Sequence, residues 1–232
     1  MATNTSHALT TFSVLLALGW GLLGAVVGYG IRRLSVHLAR SEDLEPGFKA
    51  WQVWGPPVLA AILFALFGQR YATDLPVLLI RTLWVAVLVQ VIFFDAEHRL
   101  ILDKVMFPAM MAAIGLSFIT PGLGVLDAIL TGLAAGALFL VLALVGGMLF
   151  GADALGFGDV KLVAFMGLIL GFDLRSASIV SALFLGVLLA GVISLLLVVT
   201  RLRSMKDAIP YGPFLAAGAL IVLWRVAPLA GS

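Results

Sequence analysis

Residues Gly151–Leu162 read GADALGFGDVKL, a polar, glycine-punctuated break between two apolar runs. The run before it, Ala128–Phe150, has the roughly 20 apolar residues that a bilayer-crossing helix needs; Val160–Gly171, after it, is shorter. An acidic residue and a lysine stand where the second run begins, and an ionisable group at such a place needs a reason.

Working outward, the same apolar texture fills the chain. Of 232 residues, 62% are hydrophobic and only 11% are charged. A soluble domain carries about 25% charged residues, so this composition belongs in a bilayer. Candidate spans are Thr10–Ile31, Val53–Phe67, Leu75–Phe94, Val105–Thr120, Ala128–Phe150, Val160–Gly171, Ala177–Thr200 and Gly212–Ala227. No segment alternates as a barrel strand would. The expected fold is therefore all-α and polytopic, with about eight transmembrane helices. Residues 1–74 would form an N-terminal helix pair with a short loop, and 75–232 a core.

Lysine and arginine orient the spans. Arg32, Arg33, Arg40, Lys49, Arg99, Lys104, Lys161, Arg201, Arg203 and Lys206 fall on one side, against Arg70, Arg175 and Arg225 on the other. The richer side is expected to be cytosolic. Both termini are then outside, while Asp95, Asp103, Asp153, Asp159 and Lys161 are cytosolic. The N-terminal MATNTSHALTTF has no basic residue and Arg32-Arg33 follows the first apolar run, so an uncleaved first helix is expected. Basic residues lie in short loops rather than in one patch, which argues against nucleic-acid binding. The chain has no cysteine and only three histidines, so thiol catalysis and cysteine-ligated zinc are excluded and a histidine-rich metal site is not expected.

Three elements carry candidate chemistry. In Gly156-Phe157-Gly158-Asp159 the glycines permit positive φ and close backbone approach, and Asp159 is expected to be the N-cap of the next helix. Asp95 ends the third span in VIFFDAEHRLILDKV, with Glu97 and Asp103 following. Pro210, Gly212 and Pro213 in IPYGPF make a rigid re-entry into the eighth span. Taken singly, the bland reading is favoured for the first two, an ordinary capped loop for Gly156–Asp159 and a helix-ending acidic residue for Asp95, and IPYGPF also reads as a plain helix start. Taken together, Asp95 and Asp159 suggest a carboxylate pair that shares a proton across a water, the arrangement that hydrolyses peptide bonds.

These elements resemble the type IV prepilin peptidases, membrane aspartyl proteases of the bacterial inner membrane. In that family a first catalytic aspartate is followed eight residues later by Asp or Asn, the spacing of Asp95 and Asp103. The second lies in Gly-x-Gly-Asp-x-Lys-Leu, matched by Gly156, Gly158, Asp159, Lys161 and Leu162, with Asp153 where the family often has Glu. Pro210–Ala216 is similar to the family's Pro-Phe-Gly-Pro-Phe-Leu-Ala, and GWGLLGAVVGYGIRRLS to its opening helix.

The resemblance implies removal of a basic leader from prepilins and pseudopilins at a Gly–Phe-like junction on the cytosolic side, by Asp95 and Asp159. Proteolysis would use no cofactor. Many members also methylate the new N-terminus with S-adenosylmethionine. Those members often carry paired Cys-x-x-Cys motifs and a Pro-x-x-Glu-Leu, which are absent here; Pro57–Ala60 stands near the latter's place. S-adenosylmethionine is thus expected only if methyl transfer is retained. A presenilin-type protease would pair Tyr-Asp with Pro-Ala-Leu, whereas Phe94 precedes Asp95 and the late motif is Pro-Tyr-Gly-Pro. A scaffold or small transporter remains as a non-enzymatic alternative; a transporter would place ionisable groups at mid-bilayer, and only Arg81 is so placed.

Overall fold

The computed structural model describes residues 2–150, 156–172, 178–200 and 210–225. Among them lie α1 (Ala2–Ser41), α2 (Ala50–Arg70), α3 (Leu75–His98), α4 (Asp103–Ser117), α5 (Val125–Phe150), α6 (Phe157–Leu170), α7 (Ser178–Val199) and α8 (Gly212–Arg225). Every regular element among the described residues is a helix, as expected. Among the described residues, five segments are long and apolar enough to cross a membrane: Ser13–Ser41, Ala50–Arg70, Leu75–His98, Val125–Leu149 and Ser178–Val199. Helices α4 and α6 have 15 and 14 residues. At 1.5 Å per residue each falls short of a hydrocarbon core about 30 Å thick.

Two compact units are present, Met1–Phe93 and Phe94–Ser232. In the first, α1 runs past the expected end at Ile31 and makes Arg32, Arg33 and Arg40 helical rather than loop residues. The reason is a buried stripe at Ile31, Ser35, Leu38 and Ala39, one face of a 3.6-residue repeat. Beneath the apparent loop charge, the stripe keeps the helix going. The Ser35 hydroxyl donates to Gln90 Oε1 at 3.2 Å, and the Arg32 guanidinium donates to the Gly47 carbonyl. Arg81 lies 4.8 Å over the Tyr71 ring.

The second unit is built around α6. Leu162, Val163, Phe165 and Met166 are fully buried, and α6 has α4, α5, α7 and α8 as neighbours. A helix apolar all round and enclosed by others is a core element whose length is set by its neighbours. At its far end Gly171, with φ +62°, turns the chain, and the Asp127 carboxylate accepts from the Phe172 N–H at 3.2 Å. Its near end carries the chemistry.

Candidate active site

Asp95 lies on the last turn of α3, beside Phe94, and both are buried, at 6% and 3% exposure. Helix α3 continues to His98, so Asp95 sits inside the final turn instead of ending the helix. Its carboxylate accepts a hydrogen bond from the Gly212 backbone N–H, at the first residue of α8. The N-terminus of a helix offers unpaired N–H groups and a partial positive charge, so it suits a carboxylate. A side chain at position 212 would not fit: a Cβ there would fall 2.6 Å from Asp95 Oδ2. Pro213 follows as the second residue of α8, within the first turn, where its missing N–H has no intrahelical partner to lose. Pro210 is half-buried ahead of it.

Asp159 is not the N-cap that the spacing suggests. Gly156 is the N-cap, with φ −76° and ψ 144°, and Asp159 is the third residue of α6. Its N–H donates to the Gly156 carbonyl at 3.0 Å, and its carboxylate accepts from the Gly156 N–H. This is the returning half of a capping box, in which an acidic side chain in the first turn reaches back to the cap. Burial pushes the Asp159 carboxyl up to about 6, against the lowering effect of that hydrogen bond. Desolvation wins because it penalises the charged form.

Neither Gly156 nor Gly158 needs the positive φ anticipated for the turn. What Gly158 provides is room, since a Cβ there would fall 2.9 Å from Ile101 Cβ and 3.5 Å from the Ile101 nitrogen. The close approach is made by the chain's own Ile101.

Asp159 stands within electrostatic reach of Asp95. The structure thus brings Asp95, Asp159, Gly156, Gly158 and Gly212 to one end of the second unit. Asp103, the first residue of α4, pairs with Lys161 on α6, and Lys161 Nζ lies 5.6 Å from the Phe107 ring. Asp153 lies outside the described residues. Among the described residues, no three metal-ligand side chains gather in one place.

The Asp103–Lys161 pair is solvent-exposed. Exposed pairs contribute about 0.2–1 kcal/mol, so Lys161→Met and Asp103→Asn are each expected to cost less than about 1 kcal/mol in denaturant-unfolding stability. Side-by-side denaturation of the variants and the wild type checks both.

Two features near the pair carried no chemical signal in the sequence. Ile101 is a buried aliphatic residue in a short connection, and Arg99 takes a left-handed φ of 54° that is normally glycine's. Beside them, the His98 ring lies 4.7 Å from Phe94, and His98 Nε2 is 3.4 Å from Glu97 Oε1.

Residues 80–199, which include both aspartates, match the type IV leader peptidase family. A prepilin leader peptidase/N-methyltransferase of Bacillus subtilis (strain 168) is 28% identical over 165 residues, covering 71% of this chain and 62% of the relative. One from Pseudomonas putida is 27% identical over 167 residues, covering 71% and 56%. One from Aeromonas salmonicida (strain A449) is 27% identical over 139 residues, covering 60% and 46%. The chain thus spans between 46% and 62% of the length of these curated relatives. No solved structure matches it. The family match takes in just over half of the 232 residues, and the chain belongs to the type IV leader peptidase family.

Proposed function

We propose that the protein is a membrane aspartyl endopeptidase that removes the short basic leader from type IV prepilins or pseudopilins, with Asp95 and Asp159 as its catalytic pair. The observation that carries this reading is the arrangement of the two carboxylates. One is buried and the other half-buried, each accepts a backbone N–H at a helix N-terminus, and the two are in electrostatic reach. The relatives, named as prepilin leader peptidases, supply the substrate class.

Two neighbouring carboxyls in such a site hold one proton between them more readily than two negative charges. The ionised member takes a proton from a water molecule, whose oxygen attacks the scissile carbonyl carbon. The protonated member gives its proton to the carbonyl oxygen, forming a neutral gem-diol. As this collapses, one of its hydroxyls returns a proton to the pair, the C–N bond breaks, and the departing amine takes a proton from the pair, which is left holding one proton as at the start. The pair titrates as a unit, so neither aspartate is assigned a fixed role.

The reading extends to topology. The basic residues at the end of α1, Arg99 and Lys104 after α3, and Lys161 favour a cytosolic position for the catalytic end, with about eight passes and both termini outside. Residues 75–232 would form the protease core of a multi-pass bacterial inner-membrane protein. Proteolysis by such a pair uses no cofactor. S-adenosylmethionine enters only if methylation of the new N-terminus accompanies cleavage, which mass spectrometry reads as one added methyl group.

A pH profile tests the pair. The pair takes up its second proton as the pH falls through about 6, which leaves no ionised base and should bring kcat/KM down about tenfold per unit below that point. An ordinary aspartate would place this limb near ~4. A limb near ~4 for the purified protein on a prepilin peptide would count against the buried pair.

A further inference from the structure

Between α3 and α4 the chain reverses over Arg99–Leu102, and both ends of this connection are fixed. The Arg99 N–H donates to the Asp95 carbonyl at 2.8 Å, while the Leu102 carbonyl accepts from Val105 at 3.1 Å and Met106 at 3.0 Å. Leu100 is exposed at 40% and Ile101 is buried at 7%. The Ile101 side chain enters a gap with one motif glycine on either side. Toward α6, a Cβ on Gly158 would fall 2.9 Å from Ile101 Cβ and 3.4 Å from its Cγ1. Toward α8, a Cβ on Gly212 would fall 3.1 Å from Ile101 Cδ1 and 3.1 Å from Asp95 Cγ. Gly158 directly precedes Asp159, and Gly212 is the residue whose N–H holds Asp95.

We propose that Ile101 is a positioning residue, a spacer between the α6 turn carrying Asp159 and the α8 N-terminus that holds Asp95. It thereby sets how far apart the two carboxylates stand and keeps bulk water from filling the space between their supports. A β-branched side chain suits this task because its χ1 is stiff. The two glycines then have one shared function: each leaves the space into which the spacer fits. This inference rests on the catalytic-pair reading above and adds a residue that touches neither water nor substrate.

The test is steady-state kinetics on the full-length purified protein with a prepilin peptide. Ile101→Ala should lower kcat about tenfold or more with KM within about twofold, because misplacement of a catalytic group acts on the chemical step. Its acid limb should move toward lower pH as water reaches Asp159. Ile101→Val, which keeps the β-branch, should stay within about threefold of wild type. Gly158→Ala should cost about tenfold in the wild-type background and under about threefold in the Ile101→Ala background, since the added methyl refills vacated space.

A spacer is ruled out by wild-type kcat and pH profile in Ile101→Ala, by a loss confined to KM, or by Gly158→Ala losses that simply multiply. Should Ile101→Ala fail to accumulate in the membrane, Ile101→Leu takes its place. It conserves volume but moves the branch, and wild-type kcat in that variant would equally overturn the proposal. Asp159→Asn runs alongside. Cleavage that survives it removes the catalytic pair itself, whereas a dead Asp159→Asn beside an unperturbed Ile101→Ala removes only the spacer.

Discussion

Asp95→Asn and Asp159→Asn should each abolish prepilin cleavage, a fall on the order of 10⁴-fold or more, while leaving the protein folded in the membrane. Asparagine preserves side-chain shape and still offers an oxygen to the Gly212 or Gly156 N–H, so the helix starts keep their partners. What it loses is the exchangeable proton, and the proposed mechanism needs that proton at two separate steps. Replacing one member of a close acidic pair also removes like-charge repulsion. Thermal stability should therefore hold or rise, the pattern expected where stability is traded for activity. Turnover and thermal unfolding of the same detergent-solubilised preparations separate lost chemistry from lost folding. The double variant should be no worse than either single one, because the two groups act as a unit. A variant with either aspartate replaced that still cleaves within about tenfold of wild type would mean that the pair has been misidentified.

Gly212→Ala is the second large effect. Its methyl would sit 2.6 Å from Asp95 Oδ2 and 3.1 Å from both Asp95 Cγ and Ile101 Cδ1, far inside contact distance. Either the carboxylate swings away or the start of α8 retreats, and both weaken the N–H that holds Asp95. Displacing a catalytic group by about 1 Å can cost about 100-fold, so kcat should fall by that order with KM little changed. Gly115→Ala is the matching control, since nothing lies within 4 Å of a Cβ at that helical position. There the substitution should leave cleavage intact and, by favouring helix, stabilise by roughly 0.5–1 kcal/mol. Equal kinetics for the two alanine variants would mean that Gly212 is an ordinary helix residue.

Much of this was legible in the residues. Long apolar runs fix an all-helical membrane chain because lipid leaves the backbone no other way to satisfy its polar groups. The acidic residues stood out because so few charges surround them. Boundaries were harder. Arg32, Arg33 and Arg40 look like loop, yet Ile31, Ser35, Leu38 and Ala39 continue a buried helical face beneath them. The sequence pattern starts α6 three residues late because Gly156 and Gly158 look like a turn, whereas Gly158 is helical and gives space to Ile101. Ile101 had no sequence signature at all. An aliphatic residue gains its meaning here from what closes on it from α6 and α8, and that is a property of tertiary packing.

Whether Asp95 and Asp159 together cut a peptide bond is read by mixing the purified protein in detergent with a peptide carrying a basic leader and a Gly–Phe junction, with and without S-adenosylmethionine, and following the products by mass spectrometry. A single cut after the glycine is expected, and it should disappear in both Asp95→Asn and Asp159→Asn. No cut by demonstrably folded protein, or a cut that persists in either variant, would contradict the proposed function.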